Sequence, residues 1–423
     1  MKAVVLAAGR GERLHPLTLT SPKPLLPIGG VPVIEHLLRS LRGAGIDEVL
    51  LIVRFKAREI RDHLGEKRFG VSLSYRLQED VLGTAHAAGS ASEYVGDEPF
   101  LLVYGDLYLR ATVLESVLAR HRRTGSMCMA VTPSGEPGSF GVVTLRDQRV
   151  TRIEEKKSSK PGDLVNAGVY VLDSRIFEYI GKTKRSVREE YELTDSIQGL
   201  IDGGGEILGV LIGKSDWIDI GRPWDLLLAN EMALEARDME AEGDVSERST
   251  LVGPIGIGEG ARVMAGTYIE GPVCIGGGSS IGPNCYIRPH TSIGERVRVG
   301  NGCEVKNSII MSGTHIAHLS YVGDSVIGRN CNIGGGTIVA NVRFDGEPVK
   351  MTIGGKVVST GRRKFGAVIG DGVQTGVNAS LMPGVKIGPS SRIGPGVIVY
   401  KDVPPNSVVL QRAKTERREV PRR

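Results

Sequence analysis

The sequence predicts two folds in one chain: an open, mostly parallel α/β sheet, then a β-solenoid. Two observations carry that prediction. Short apolar runs alternate with helical spacings over the first 230 residues, and from Leu251 an aliphatic residue recurs at every sixth position. Glycine usage marks the same change: 27 of the 58 glycines lie in the first 245 residues and 31 in the last 178, so the second half needs more tight turns. The 423 residues suffice for two or three domains of roughly 100–200 residues each.

Residues 2–8 form a short apolar run that stops at Gly9, the pattern of a buried strand. Residues 34–41 have helical apolar spacing, and Gly43 and Gly45 end that helix. Strand runs follow at 48–53, 71–77 and 99–104, the last ending at Gly105-Asp106. Residues 114–121 are helical, and 127–131 return to strand. Such alternation builds an open sheet with helices on both faces. Ligands of these sheets bind beyond the C-terminal strand ends, which points to the residues just after 8, 77 and 104.

The six-residue ladder runs from Leu251 to Val305, slips by one residue, and resumes at Ile310, Ile316 and Val322. It continues at Ile327, Ile333 and Val339. After a break it returns at Ile369, Leu381, Ile387, Ile393 and Val399, with Thr375 filling one slot. This period is neither that of a strand nor that of a helix. It fits a short strand plus a turn, three times per coil of a triangular solenoid over 251–409. Residues 231–250 read as a charged helical linker, and 410–423 as a solvated basic tail.

Charged residues make up 24 % of the chain and hydrophobics 40 %, an ordinary globular balance. A net charge of +5 over this length gives no case for a nucleic-acid partner. No apolar run approaches the roughly 20 residues that cross a bilayer, and the N-terminus lacks a signal-peptide core, so a cytoplasmic protein without a membrane partner is expected. The cysteines at 128, 274, 285, 303 and 331 show no metal-ligand spacing and read as free thiols. Cys285 and Cys303, 18 residues apart, should stack one coil apart as packing rather than as a disulfide.

After the first strand run comes Leu6-Ala7-Ala8-Gly9-Arg10-Gly11-Glu12-Arg13-Leu14, and then Ser21-Pro22-Lys23-Pro24-Leu25-Leu26-Pro27-Ile28. Gly9 and Gly11 let backbone amides approach a phosphate, while Arg13 and Lys23 add cations. The string lacks the GK[ST] of a Walker loop and the third glycine of a dinucleotide fingerprint. The physics favours a polyphosphate site with magnesium.

Residues 6–28 resemble the sugar-1-phosphate nucleotidylyltransferase pattern LAAGxGxRLxP…PKxLLPI. Further motifs of that family follow in order: Gln78 with Leu82-Gly83-Thr84-Ala85, Tyr104-Gly105-Asp106, Phe140-Gly141-Val142, Glu154-Glu155-Lys156, Asn166-Ala167-Gly168 and Trp217-Ile218-Asp219-Ile220-Gly221. The resemblance covers residues 1–230 and implies a Rossmann-like domain in which a sugar-1-phosphate oxygen attacks the α-phosphorus of UTP or dTTP. It implies Leu6, Ala7, Ala8, Gly9, Gly11, Gln78, Gly83 and Thr84 at the nucleotide and Gly141, Glu155, Lys156 and Asn166 at the sugar. It places Asp106 and Asp219 on magnesium, with Arg13 and Lys23 on the phosphates.

A second polar constellation interrupts the aliphatic solenoid: His315-Ile316-Ala317-His318-Leu319-Ser320-Tyr321-Val322-Gly323-Asp324. Arg288 and Lys306 lie 18 residues apart, which stacks two cations and suits a phosphate clamp. Asn332, Gly335, Asn341 and Lys350 follow downstream. The segment resembles the acetyltransferase half of the bifunctional UDP-N-acetylglucosamine synthesis enzymes. The longer stretch between Asn341 and Gly366 is similar to the archaeal form.

This resemblance implies a left-handed β-helix assembled as a homotrimer. It implies His318 as the base that deprotonates the sugar amine, Arg288 and Lys306 on the sugar phosphate, Tyr321, Asn332 and Lys350 completing the substrate pocket, Asn341 near the acetyl group, and Gly335 and Arg412 near acetyl-CoA. Imidazole suits that work at neutral pH. Two other readings stay open on the sequence: a monofunctional glucose- or mannose-1-phosphate nucleotidylyltransferase with a structural solenoid, and a non-catalytic scaffold. The His318 cluster argues against the first, and Lys23, Asp106 and Asp219 argue against the second.

Overall fold

A computed structural model of the chain describes residues 1–80, 82–134, 140–155, 160, 162–412 and 417. It divides into two compact units. One holds Met1–Gly11, Ser21–Leu26 and Val31–Asp225; the other holds Glu12–Thr20, Pro27–Gly30 and the chain from Leu226 onward.

The first unit is built on a ten-stranded sheet. Four adjacent strands, Phe100–Tyr104, Ala3–Ala7, Glu48–Val53 and Val71–Leu77, are all parallel, as the alternating pattern predicts. Their side chains are buried on both faces: Val5, Leu51 and Val103 belong to one apolar cluster, and Val4, Leu50 and Leu102 to another. Helices Val33–Gly43 and Ala111–Thr124 fall on the expected segments.

Beyond that parallel core the sheet becomes mixed, because Leu164–Leu172 pairs antiparallel with Phe100–Tyr104. The same strand is bulged between Asn166 and Tyr170 where it meets Met127–Pro133. The strands Ala3–Ala7 and Phe100–Tyr104 end side by side, with the Gly105 amide donating to the Leu6 carbonyl at 2.9 Å. That register places the glycine loop next to Asp106.

The second unit is a triangular solenoid of three all-parallel sheets with nine, eight and seven strands. The aliphatic residues of the six-residue ladder pair with one another rung by rung. Val263, Ile281 and Val299 stack at 18-residue intervals, whereas Val299, Ile316 and Ile333 stack at 17. The slip has a location: the corners after Val305 and after Val322 are each one residue shorter than the rest. Asn307 and Asp324 take positive φ there, at 43° and 50°.

The helix expected across 231–250 is instead Pro223–Glu235, and Asp244–Val245 already forms the first rung of the solenoid. Within this unit the helix is fixed through fully buried Asn230. Its Oδ1 accepts from the Gly29 amide and from Ser292 Oγ, and its Nδ2 donates to the His290 carbonyl at 2.8 Å. That demand draws Pro27–Gly30 into the second unit.

All five cysteines are free and buried, and Cys285 Sγ sits against the Gly300 carbonyl rather than bonding Cys303. Ile316 is fully buried in the solenoid core. Ile316→Ala should destabilise that unit by about 2–5 kcal/mol, the usual cost of a large-to-small core change. Denaturant unfolding with Trp-independent far-UV detection measures it, and a loss below about 1 kcal/mol would contradict the packing described.

Candidate active sites

Lys23 begins a short 3-10 turn between Pro22 and Pro24, whose rings restrict the backbone on both sides. The lysine side chain is 9 % exposed, and its Nζ lies 2.5 Å from Asp106 Oδ2. A buried ammonium needs such a partner. Strand Trp217–Asp219 pairs antiparallel with Leu107–Leu109 so that Asp219 faces Leu107, and the Ile220 amide donates to the Asp106 carbonyl at 3.0 Å. The two aspartates are therefore neighbours across a ladder. Their hard carboxylate oxygens fit a magnesium ion.

The expected phosphate loop leaves the end of Ala3–Ala7. Ala7 and Ala8 are buried, Leu6 is half-buried, Gly9 is exposed with open space around it, and Gly11 has φ 67°. Arg13 lies in the 3-10 turn Glu12–Leu14, a segment of the second unit, and is exposed.

Gln78 is buried, and its Nε2 reaches the Gly83 carbonyl at 3.3 Å and His86 Nδ1 at 3.1 Å. Gly83 has φ 100°, and a Cβ there would meet the Tyr191 carbonyl at 2.5 Å, so only glycine fits. Thr84 Oγ1 accepts from the Leu193 amide at 2.9 Å. The base turn is thus tied to segment 190–193, which sequence reasoning did not single out.

The same segment braces the expected sugar residues. Arg188 Nη2 donates to Glu155 Oε1 at 3.0 Å and to Glu192 Oε1 at 2.6 Å, and Thr194 Oγ1 donates to Glu155 Oε2 at 3.1 Å. Burial pushes the Glu192 and Asp195 carboxyls up, with Arg188 opposing the shift in both. Gly141 approaches Glu155 Oε2 closely. Asn166 Nδ2 donates to Tyr170 Oη at 2.5 Å, and Trp217 Nε1 donates to the Ala167 carbonyl at 2.7 Å. The acidic run Glu189-Glu190-Tyr191-Glu192 was the available signal for this brace. Lys156 lies outside the described residues.

In the solenoid, His318 follows the rung His315–Ile316 and is exposed. Gly335, one coil on, lies under its imidazole: a Cβ there would stand 2.6 Å from His318 Nε2. Asn332 is exposed and pairs with His315 on the adjacent rung.

Ile287 pairs with Val305, so Arg288 and Lys306 do stack one coil apart. Both carry acidic partners that the sequence reading missed: Arg288 Nη1 lies 2.9 Å from Glu304 Oε1, and Lys306 Nζ lies 3.3 Å from Asp324 Oδ2. Asn341 Nδ2 reaches Asp324 Oδ2 at 2.5 Å and Tyr321 Oη at 3.1 Å. Burial pushes the Tyr321 hydroxyl up, which keeps its proton on at neutral pH. Lys350 is exposed at the start of the hairpin formed with Lys356–Ser359, and Arg412 is exposed.

A nucleotidyl transferase family model matches residues 2–236, the GMPPB C-terminal domain matches 269–377, and a bacterial transferase hexapeptide model of six repeats matches 366–401. The chain is 41 % identical to the bifunctional protein GlmU of Methanocaldococcus jannaschii over 97 % of this chain and 98 % of that protein. It is 42 % identical to a bifunctional sugar-1-phosphate nucleotidylyltransferase/acetyltransferase of Sulfurisphaera tokodaii over 95 % and 98 % of the two chains. A low-salt glycan biosynthesis nucleotidyltransferase of Haloferax volcanii is 37 % identical over 62 % of this chain and 74 % of its own length. The α/β sheet and the left-handed solenoid fall on the matched stretches. The chain belongs to the family of bifunctional GlmU proteins, nucleotidyl transferases that carry a hexapeptide-repeat transferase solenoid.

Proposed function

We propose that this chain acetylates glucosamine-1-phosphate with acetyl-CoA and then couples N-acetylglucosamine-1-phosphate to UTP, releasing pyrophosphate. dTTP and galactosamine-1-phosphate are alternative substrates of the same chemistry. The single observation that carries the reading is the pair of separately built polar sites, Lys23–Asp106 in one unit and His318–Gly335 with its neighbours in the other.

In nucleotidylyl transfer the sugar phosphate is itself the nucleophile, so the protein's task is positioning and charge neutralisation. Lys23 offsets the charge that develops at the α-phosphorus. Gln78, Gly83 and Thr84 present the base turn, while Glu155 and Asn166 orient the sugar. Asp106 and Asp219 would hold magnesium, which supplies further neutralisation of the phosphate oxygens.

In acetyl transfer, His318 accepts a proton from the sugar amine as nitrogen bonds to the thioester carbonyl carbon. The C–S bond breaks, and coenzyme A leaves as a thiolate that takes up a proton. Arg288 and Lys306 orient the sugar phosphate, with Tyr321, Asn332 and Lys350 completing the pocket and Gly335 and Arg412 meeting the acetyl donor. We further propose a cytoplasmic homotrimer assembled through the solenoids. Among the described residues no helix is long and apolar enough to cross a membrane.

Four measurements test this reading. Lys23→Ala should cost nucleotidylyl transfer about 10²-fold with acetyl transfer unchanged, and His318→Ala should cost acetyl transfer about 10²- to 10⁴-fold with nucleotidylyl transfer unchanged. Chelation by EDTA should abolish only nucleotidylyl transfer, and loss of both activities together in any of these arms would contradict two independent sites. Gly335→Ala should lower acetyl transfer by about 10²-fold without unfolding, since the added methyl displaces the imidazole by an ångström or so; wild-type turnover in that variant would remove His318 from the base role. Light scattering should return three times the 45.3 kDa of one chain; a stable monomer would exclude the trimer.

A further inference from the structure

The two shortened corners of the solenoid and the next corner along put Asn307, Asp324 and Asn341 in one column, each 17 residues after the last. The Asp324 side chain is 3 % exposed and sits in the middle of that column. Asn307 Nδ2 donates to its Oδ1 at 2.8 Å, and Asn341 Nδ2 donates to its Oδ2 at 2.5 Å. Lys306 Nζ adds a cation to Oδ2 at 3.3 Å.

An ionised carboxylate can only accept hydrogen bonds. Both flanking carboxamides must therefore turn their NH₂ ends inward. The strength of that demand is visible at Asn307, whose buried Oδ1 has no hydrogen-bond partner among the described residues. An orphaned buried carbonyl is costly, yet the amide does not flip, because flipping would set oxygen against the carboxylate.

The same rule acts on Asn341. Its NH₂ spends one proton on Asp324 and the other on Tyr321 Oη at 3.1 Å. Two consequences follow. The Asn341 carbonyl oxygen points away from Asp324 as an acceptor. Tyr321, receiving a hydrogen bond, keeps its own O–H proton to donate elsewhere.

We infer that Asp324 is a positioning residue for acetyl transfer: its carboxylate fixes the donor and acceptor sense of Asn341 and, through it, of Tyr321. This rests on the acetyl-transfer reading above. The substrate chemistry fits the sense that results. An amine losing a proton needs an acceptor beside it, which the Asn341 carbonyl provides. A thioester oxygen gaining negative charge needs a donor, which the Tyr321 hydroxyl provides. Asp324 touches no substrate in this role; it acts through the amide.

The test uses the full-length protein and two variants, with coenzyme A release, pyrophosphate release and thermal midpoint as readouts. Asp324→Asn preserves size, and asparagine accepts the left-handed backbone at this corner (φ 50°). It frees the Asn341 amide to flip, and kcat for acetyl transfer should fall by about 10²-fold. Nucleotidylyl transfer should be unchanged.

The second variant, Asp324→Asn with Asn341→Asp, restores a carboxamide–carboxylate pair but reverses its sense. Its thermal midpoint should return toward wild type while acetyl transfer stays low. A merely structural carboxylate would make the acetyl-transfer loss of Asp324→Asn follow its loss of thermal midpoint, with wild-type kcat regained when it is assayed well below that midpoint, and that result overturns the proposal. So does an active wild type whose Asp324→Asn variant keeps kcat within about threefold, a range too small for a lost positioning contact. A wild type that releases no coenzyme A from any amino-sugar phosphate overturns the acetyl-transfer reading, and this proposal falls with it.

Discussion

The aliphatic ladder inside the solenoid is the constraint on which the second half of the molecule depends. Each inward side chain must stack on the one a coil earlier, because the parallel rungs share hydrogen bonds as well as packing. A register error of one residue would turn the aliphatic residues outward. The chain therefore tolerates a lost residue only at corners, and it loses one at Asn307 and one at Asp324. Those are the corners where polar side chains gather. Shortening the coil and building the site are one event in the sequence, since a tight left-handed corner favours Asn and Asp, which are also the residues that can form the hydrogen-bonded column.

Both candidate sites use a lysine already neutralised by an aspartate. Lys23 meets Asp106 at 2.5 Å, and Lys306 meets Asp324 at 3.3 Å. In each case the ammonium is largely buried, and an unpaired buried charge is costly. The difference lies in the carboxylate. The Asp106 side chain is 31 % exposed, and Asp219 lies on the strand paired beside it. Asp324 is held by two amides as well and is nearly sealed, which suits a fixed support rather than a ligand. In the proposed function, similar pairs serve charge exchange in one unit and rigid orientation in the other.

Much of this was legible in the sequence, and the remainder was hidden for physical reasons. Strand and helix positions in the parallel core follow from apolar runs and their glycine ends, and the solenoid follows from its period. The antiparallel placement of Leu164–Leu172 did not follow, because a doubly buried strand reads alike in either direction. The capture of Pro27–Gly30 by the second unit runs through Asn230 and Arg237, which no periodicity marks. Lys23, Asp106, Asp219 and His318 were visible because each stands in an unusual local string. Arg188, Glu192 and Glu304 were not, since an arginine or glutamate in a charged stretch looks solvated until the fold supplies its partner. Asn307, Asp324 and Asn341 could have been found from their 17-residue spacing, once the slipped phase is taken as the local coil length.

The central claim is that one chain performs two successive reactions on the same sugar. It is tested most directly in a single vessel holding the wild-type protein, glucosamine-1-phosphate, UTP and magnesium, with and without acetyl-CoA, by mass analysis of the nucleotide sugar formed. The account predicts UDP-N-acetylglucosamine only where acetyl-CoA is present, with coenzyme A and pyrophosphate released in equal amounts. Nucleotide sugar carrying an unacetylated amine in both vessels, with no coenzyme A released, would contradict it and leave the solenoid without a reaction.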